Sequence, residues 1–361
     1  MTAVAKCSLP ESAARAKPGT VLVLADPPSR RRAPVQATGL GAAVVLGLAA
    51  AAAGALVPVV GAPVFAVVAG AVLSPLARRR STAMAPGLHL AKGLVLQVSV
   101  VLLGAQLSLS QVLSVGAESL PVMLGTLGVC LLLARVVGRR LGVPRDLRTL
   151  IGVGTGICGA SAIAAATPAI RAKSNDVAYA ISTIFLFNVA AVLVFPPLGH
   201  ALGLDAHAFG LFAGTAVNDT SSVVAAAGVY GQDAVGYAVV VKLVRTLMII
   251  PVVLVLTTLN RRRADLPETA KARLAASLVP WFLVAFLAVA ALNTGGLIPG
   301  PAQAALRHVT PLFIAVALAG VGLSTDVAAL RRAGARPLLL GLILWAAVSF
   351  TSLGLQWLPT R

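Results

Sequence analysis

The sequence predicts an all-α polytopic membrane protein of about eleven transmembrane helices, with inverted repeats and discontinuous helices. Of its 361 residues, 58% are hydrophobic and only 11% are charged, against roughly 25% charged in an ordinary soluble domain. The mean hydropathy is +0.94, and the apolar residues form uninterrupted runs that match the roughly 20 residues a helix needs to cross a bilayer. Strands of a transmembrane barrel would be about ten residues long and would alternate in polarity.

A polar, basic tail is predicted at residues 1–36. The transmembrane domain, which contains all the predicted spans, is predicted at residues 37–361. The first span after the tail is too long for the apolar part of a cleaved signal peptide, so it is expected to remain as an anchor. The spans are residues 38–58, 61–77, 94–112, 119–137, 149–170, 177–198, 207–228, 235–257, 277–293, 308–323 and 337–357.

The distribution of basic residues predicts the orientation. The net charge of +18 comes from 29 basic and 11 acidic residues. With the N-terminus inside, 23 of the 29 basic residues fall in the tail and the cytoplasmic loops, as the positive-inside rule requires. The excess charge is therefore explained by topology, nucleic-acid binding is not expected, and the C-terminus is expected outside.

Internal similarity suggests an inverted repeat. A shift of 216 residues gives eight identities in 24 positions, from Leu102–Gly125 onto Leu318–Gly341. The two segments run in opposite directions across the membrane in the predicted topology, a common plan in secondary transporters. Chance similarity of an apolar composition is the alternative. A local similarity between Gly154–Ala166 and Gly214–Ala227 does not fit the same duplication.

The fifth span is predicted to be broken near its centre. Glycine destabilises a helix interior by about 1 kcal/mol, and Gly152, Gly154, Gly156 and Gly159 lie within eight residues. They bracket Thr155, Cys158 and Ser161. Unwound backbone in a membrane must face protein or water, and a half-helix beginning near Ser161 would direct N–H groups at an anion. The alternative is close packing of small residues between helices.

Polar groups in the middle of later spans are candidates for substrate or ion binding. The seventh span contains Asn218, Asp219, Thr220, Ser221 and Ser222. A carboxylate at this depth needs a partner, a proton or a cavity. It is expected to be titratable or ion-coordinating, with a structural ion pair as the alternative.

The eighth span supplies two cations on one helix face. Lys242 and Arg245 are three residues apart and are expected to converge with Asp219, leaving a formal +1 that an anion would balance. In the alternative, Lys242 extends towards the membrane surface and only Arg245 pairs with Asp219. Asn188, in the sixth span, is a weaker candidate for an interhelical hydrogen bond.

Several classes of chemistry are not expected. The four histidines show no metal-ligand spacing, and Cys158 has no base near it in sequence that would make it a nucleophile. No soluble segment is long enough for an ATPase domain, so transport would be driven by a gradient. We expect neither an enzyme nor a cofactor.

The ordered motifs resemble the YeiH-type family of bacterial membrane proteins, which carries a sulfate-exporter label. The resemblance rests on Gly154–Ala166, Ala172-Lys173, Asp176-Val177-Ala178, Phe187-Asn188, Gly214–Ala227 and Val241–Arg245, and covers the chain from about residue 38 onwards. It implies a fold related to cation–proton antiporters and bile-acid-type symporters, with discontinuous helices crossing at mid-membrane. Family members commonly carry His before the acidic residue, where this chain has Asn218, which questions any proton relay through that position.

Together these observations predict a secondary transporter of the bacterial cytoplasmic membrane that exports a small inorganic or organosulfur anion. The expected partners are that anion, protons or Na⁺ and the lipid bilayer, with a homo-oligomer as a further possibility. The candidate site residues are Thr155, Gly156, Cys158, Gly159, Ser161, Asn188, Asn218, Asp219, Thr220, Ser221, Ser222, Lys242 and Arg245. A cation–proton antiporter using Asn218 and Asp219, and a membrane scaffold without transport, are the alternatives.

Overall fold

The fold is helical throughout the part of the chain that can be described. The computed structural model describes residues 32–56, 61–79, 81–259, 278–324 and 334–357, and no strand occurs among them. The helices are α1 (Arg32–Leu56), α2 (Gly61–Arg79), α3 (Ser81–Leu90), a π-helical turn (Ala91–Val95), α4 (Leu96–Gly104), α5 (Leu109–Arg140), α6 (Arg145–Gly156), α7 (Ala160–Ile170), α8 (Ser174–Ala201), α9 (Ala206–Ala216), α10 (Thr220–Tyr230), α11 (Gln232–Leu247), α12 (Ile249–Leu259), α13 (Trp281–Thr294), α14 (Gly300–Leu323) and α15 (Ala335–Trp357).

Six helical segments within the described ranges are long and apolar enough to cross a membrane. They are Ala83–Gly104, Leu109–Arg140, Ser174–Ala201, Gln232–Leu259, Gly300–Leu323 and Ala335–Trp357. Shorter apolar helices cover Thr38–Gly54, Phe65–Ala77, Ala160–Ile170, Thr220–Tyr230 and Trp281–Thr294. The chain therefore carries several membrane-spanning helices, and the full count of eleven stays a prediction, as does the inverted repeat.

The distribution of exposed side chains is that of a membrane protein. Large apolar side chains such as Leu56, Phe350 and Trp357 are 84%, 75% and 76% exposed. By contrast, Lys242 and Arg245 are completely buried. A soluble protein avoids both features, because lysine and arginine are almost never fully buried in it. Lipid is the natural solvent for the outer apolar side chains.

The third predicted span is wrong in its bounds. The sequence places it at residues 94–112, but the helical segment runs from Ala83 to Gly104 and the next helix begins at Leu109. Ser108 caps this next helix: its hydroxyl accepts from the Gln111 N–H, and the Gln111 side chain accepts from the Ser108 N–H. The sequence error came from treating Lys92 as a loop residue, whereas Lys92 lies in the π-helical turn.

Glycines allow several of the helices to approach closely. A β-carbon at Gly47 of α1 would lie 2.6 Å from the Val316 Cα of α14, and one at Gly214 of α9 would lie 2.7 Å from the Val241 Cβ of α11. Neither position has room for a larger residue. The contact between α9 and α11 brings the C-terminal half of α11, with its two buried cations, against the middle of the predicted seventh span.

Candidate functional site

Two broken helices meet at the centre of the candidate site. The first break lies between α6, which ends at Gly156, and α7, which begins at Ala160. The second lies between α9, which ends at Ala216, and α10, which begins at Thr220. They are adjacent, because a β-carbon at Gly159 would lie 3.4 Å from the Asp219 Cβ.

The break in the fifth span is confirmed where the glycines predict it. Gly159 has φ 67° and ψ −129°, a conformation open to glycine but strained for other residues. Gly152 and Gly154 have a different use, because β-carbons there would lie 2.6 Å from the Ala134 Cβ and 2.0 Å from the Ile184 Cδ1. Both interpretations of the glycines therefore hold, one for the break and one for helix packing.

The break in the seventh span was missed by the sequence analysis. Val217 has extended backbone torsions, and Asp219 is the N-cap of α10, accepting from the Ser222 N–H at 3.0 Å. The signal was available: an Asp followed by Thr-Ser-Ser is a typical helix start. The helix start was not recognised because this Asp-Thr-Ser-Ser segment lies within an apolar span.

The Lys242 side chain contacts the C-terminal ends of α6 and α9, the two helices that precede the breaks. Its Nζ donates to the carbonyl oxygen of Ile157 at 2.8 Å and to that of Val217 at 2.9 Å. These carbonyls follow the last residues of α6 and α9, where a helix carries about half a negative charge. One buried ammonium therefore donates to both carbonyl groups and offsets the negative ends of two helix dipoles.

Arg245 completes this arrangement. Its Nε donates to the Gly156 carbonyl at 2.9 Å, one terminal nitrogen donates to the Thr155 carbonyl at 2.8 Å, and the other lies 3.4 Å from the Val217 carbonyl oxygen. The planar guanidinium suits this use, because it presents several donors in a fixed geometry. Thr155 and Gly156 thus contribute backbone carbonyls to the centre of the protein.

The predicted ion pairing of Asp219 with Lys242 or Arg245 is wrong for the described chain. Neither cation lies within ion-pair distance of a carboxylate there, and both have their donors directed at carbonyls. The physical reason is the pair of helix breaks, whose unpaired carbonyl groups lie closer than Asp219. Direct contact of either cation with an anion would require these hydrogen bonds to be exchanged.

Asp219 is held instead by its own helix start. One carboxylate oxygen accepts from the Ser221 hydroxyl and the Ser222 N–H, and the other accepts from the Ser222 hydroxyl at 2.7 Å. These bonds place a negative charge at the N-terminus of α10, where the helix dipole favours it. The N-terminus of α7 differs, because its N-cap, Gly159, provides no side chain.

Two asparagines connect the second break to α8. The Asn188 Oδ1 accepts from the Asn218 backbone N–H at 3.1 Å, which is the interhelical bond expected of Asn188. The Asn218 Oδ1 is buried and accepts from no described residue, and a buried acceptor left unpaired is costly. Asn188 is only 4% exposed, and it lines the larger cavity of the site.

Two cavities reach the breaks. One of about 640 Å³ lies among α2, α3, α8, α10 and α14, and one of about 370 Å³ lies beside α4 and α13. They share six residues, which we call the partition: Lys92, Gly93, Ala160, Ser161, Asp219 and Ser221. Cys158 and Thr220 line the smaller cavity only, Asn188 and Ser222 the larger only. Lys242 and Arg245 line neither.

Lys92 is the functional candidate that the sequence analysis missed. It is exposed on the π-helical turn, and no hydrogen bond or ion pair joins it to another described residue. Such π-helical turns occur frequently at functional sites. The available signal was a lysine beside a glycine, with apolar residues after it, but Lys92 lies between the predicted spans 61–77 and 94–112.

A metal centre has no support in the described part of the chain, where no three His, Cys, Asp or Glu side chains cluster as ligands. The chemistry at the partition is that of charge and hydrogen bonding: an ammonium, a carboxylate, two serine hydroxyls and the start of α7. This set can bind a small ion between two cavities without any bond being made or broken.

Comparison with known proteins gives the family. A family model described as Conserved hypothetical protein 698 matches residues 38–341. A UPF0324 membrane protein of Fusobacterium nucleatum subsp. nucleatum is 38% identical over 323 residues, covering 84% of this chain and 92% of that protein. UPF0324 membrane proteins of Streptococcus agalactiae serotype V and Streptococcus pneumoniae strain R6 are 39% and 40% identical, and each alignment covers 84% of this chain.

No solved structure matches the chain. The family model covers well over half of the chain, and the relatives are aligned over nearly their whole length. The resemblance to the YeiH-type family is thereby confirmed, and the chain belongs to the UPF0324 family of membrane proteins.

Proposed function

We propose that this protein is a secondary transporter that exports a small anion across the bacterial cytoplasmic membrane. The observation that carries the proposal is the partition, which is reached from two cavities. It contains an ammonium that pairs with no other described residue, and a helix start without a side-chain cap. A transporter must present one binding site to each side in turn, and crossed broken helices provide such a site in many secondary transporters. The substrate class is a small inorganic or organosulfur anion, with sulfate as the first candidate.

The anion ligands come from the partition rather than from the buried cations. Lys92 offers an ammonium, Ser161 offers a hydroxyl, and the first N–H groups of α7 offer donors together with the positive end of the helix dipole. Lys242 and Arg245 act indirectly: they hold the two C-terminal helix ends in place and keep the electrostatic potential of the centre positive.

The balance of charge favours an anion. The formal positive charges of Lys92, Lys242 and Arg245 oppose the single carboxylate of Asp219 among the described residues at and beneath the two cavities. The two helix N-termini and two C-termini contribute dipole charges that cancel. The formal charge of +2 matches a divalent anion.

Asp219 is the proposed coupling group. It lines both cavities, so a proton that enters either cavity can reach it. Protonation would remove the carboxylate that opposes Lys92, and the anion would then bind more tightly. Because binding of the proton then favours binding of the anion, the two ions would be carried together.

The proposed topology has eleven spans, with the N-terminus inside and the C-terminus outside. It keeps most basic residues on the cytoplasmic side, and it includes the inverted repeat of Leu102–Gly125 and Leu318–Gly341. Cysteine labelling at the two ends of the chain tests it, and a cytoplasmic Arg361 contradicts it.

A cation–proton antiporter is the second candidate, favoured by one observation. Within the described ranges the buried Asn218 Oδ1 has no donor, and Asn218 precedes Asp219 in the chain. Oxygen atoms of this kind are ligands for Na⁺ or a protonated water. A membrane scaffold is less well supported, because it would pair its polar groups directly and leave no cavity beside Asp219.

The experiment is flux through the purified protein in proteoliposomes, with pH gradient and membrane potential set separately. Sulfate movement that depends on the protein and responds to the pH gradient supports the proposal. Sodium–proton exchange without anion flux supports the antiporter, and no movement of either ion by folded protein contradicts transport of these classes.

A further inference from the structure

We propose that a groove between α5, α6 and α12 binds one anionic phospholipid. The groove has a volume of about 520 Å³ and is separate from the partition. Its wall is apolar along most of its length, and three arginines, Arg135, Arg145 and Arg148, line it together with Thr149.

The turn between α5 and α6 brings the arginines together. Gly142 has φ 67°, which permits the reversal of the chain between the two helices. A β-carbon at Gly138 would lie 2.9 Å from the Arg148 Cβ, so the two helices are close at this end. Arg135, five residues before the end of α5, therefore lies near Arg145 and Arg148 at the start of α6.

The three arginines have no acidic partner among the described residues. No carboxylate lies within 4.0 Å of any of them there, including that of Asp146 in the first turn of α6. Arg148 is half-buried, and Arg135 and Arg145 are exposed. Unpaired guanidinium groups at the end of an apolar groove are complementary to a phosphate, which they bind bidentately.

The apolar part of the groove fits acyl chains. Leu124 and Arg135 both line it and are eleven residues apart on α5, which is about 16 Å along a helix axis. On α12, Val255 and Leu259 line the facing wall and are 54% and 65% exposed. A free inorganic anion would gain nothing from these surfaces, whereas a lipid uses both the basic end and the apolar wall. Basic pockets between transmembrane helices bind anionic head groups in this way.

Binding is measured by native mass spectrometry of the full-length protein, delipidated in detergent and titrated with phosphatidylglycerol or phosphatidylcholine. We expect one tightly held phosphatidylglycerol and at least ten-fold weaker phosphatidylcholine. The double variant Arg145→Gln/Arg148→Gln is expected to bind phosphatidylglycerol about thirty-fold more weakly, from the loss of two charges that face an anionic lipid. The matched control is Arg139→Gln/Arg140→Gln, which removes the same charge at the end of α5 outside the groove and is expected to retain binding.

A second variant tests the apolar wall without changing charge. Val255→Trp fills the groove at an exposed position, and we expect it to weaken phosphatidylglycerol binding while the protein stays folded. Equal loss in the Arg139/Arg140 control would overturn the proposal in favour of general surface charge. Displacement of the lipid by inorganic phosphate at millimolar concentration would overturn it in favour of a free-ion site, and equal affinity for the two lipids would exclude head-group recognition. These outcomes are independent of whether the protein transports an anion.

Discussion

The Nζ atom of Lys242 lies 2.8 Å from the carbonyl oxygen of Ile157, a residue in the break between α6 and α7. The same atom binds the carbonyl oxygen of Val217 in the other break. A single fully buried ammonium thus joins two helix interruptions that are 60 residues apart in sequence. Its first role is therefore structural. The proposed anion site lies on the other side of the breaks, where α7 and α10 begin.

Removing this ammonium should destabilise the protein. Lys242→Met deprives the Ile157 carbonyl of its donor, and an unpaired buried acceptor costs about 1–3 kcal/mol. We expect a lower midpoint of thermal unfolding in detergent. Lys173→Met, at an exposed position before α8, should leave the midpoint unchanged. If Lys242→Met unfolds at the wild-type temperature, the ammonium is not needed to hold the breaks.

Arg245 should not be replaceable by lysine. Arg245→Lys keeps the positive charge but loses the fork that binds the carbonyls of Thr155 and Gly156 together. We expect lower thermal stability than in the wild type, and less loss than in Arg245→Met, which removes all the donors. Equal stability of Arg245→Lys and wild type would show that charge alone matters at this position.

Gly159 should tolerate no side chain. Gly159→Ala places a β-carbon on a residue with φ 67°, and backbone strain of this kind costs about 1–3 kcal/mol. Gly128→Ala is the matched control, because Gly128 lies in the exposed interior of α5 with open space around it. There the same change should stabilise slightly, since alanine has the higher helix propensity. Opposite shifts in the unfolding midpoint are therefore expected, and equal shifts contradict the strained turn.

The carboxylate of Asp219 should be needed for coupling but not for folding. Asparagine is as good an N-cap as aspartate, so Asp219→Asn should change the free energy of unfolding by less than about 1 kcal/mol. Anion flux should persist and lose its response to the pH gradient. Flux that still follows the pH gradient in this variant would remove Asp219 from the coupling mechanism.

Local sequence signals predicted some parts of the site and hid others. The four glycines of the fifth span predicted the break, and Gly159 has the positive φ there, whereas Gly152 and Gly154 allow close packing of helices. The break at Val217 was concealed because Asn218 and Asp219 were interpreted as side-chain ligands rather than as a helix start.

Partners separated along the chain were the hardest to predict. Lys242 and Arg245 were expected to converge with Asp219, but their partners are backbone carbonyls 25 to 90 residues away. A carbonyl has no residue-type signature, so only the fold reveals it. Lys92 fell outside the predicted spans because a single charge near glycine and proline is typical of a loop, and its place in a π-helical turn depends on packing against α14.

The central claim is that the partition binds the transported anion through Lys92. The measurement is sulfate flux in proteoliposomes for Lys92→Met beside Lys173→Met, at equal amounts of inserted protein. A hydrogen bond to a charged group contributes about 1.5–3 kcal/mol, which corresponds to roughly ten- to a hundred-fold in affinity. We expect the concentration of sulfate for half-maximal flux to rise by such a factor in Lys92→Met and to stay at the wild-type value in Lys173→Met. Wild-type sulfate dependence in Lys92→Met would contradict an anion site at the partition.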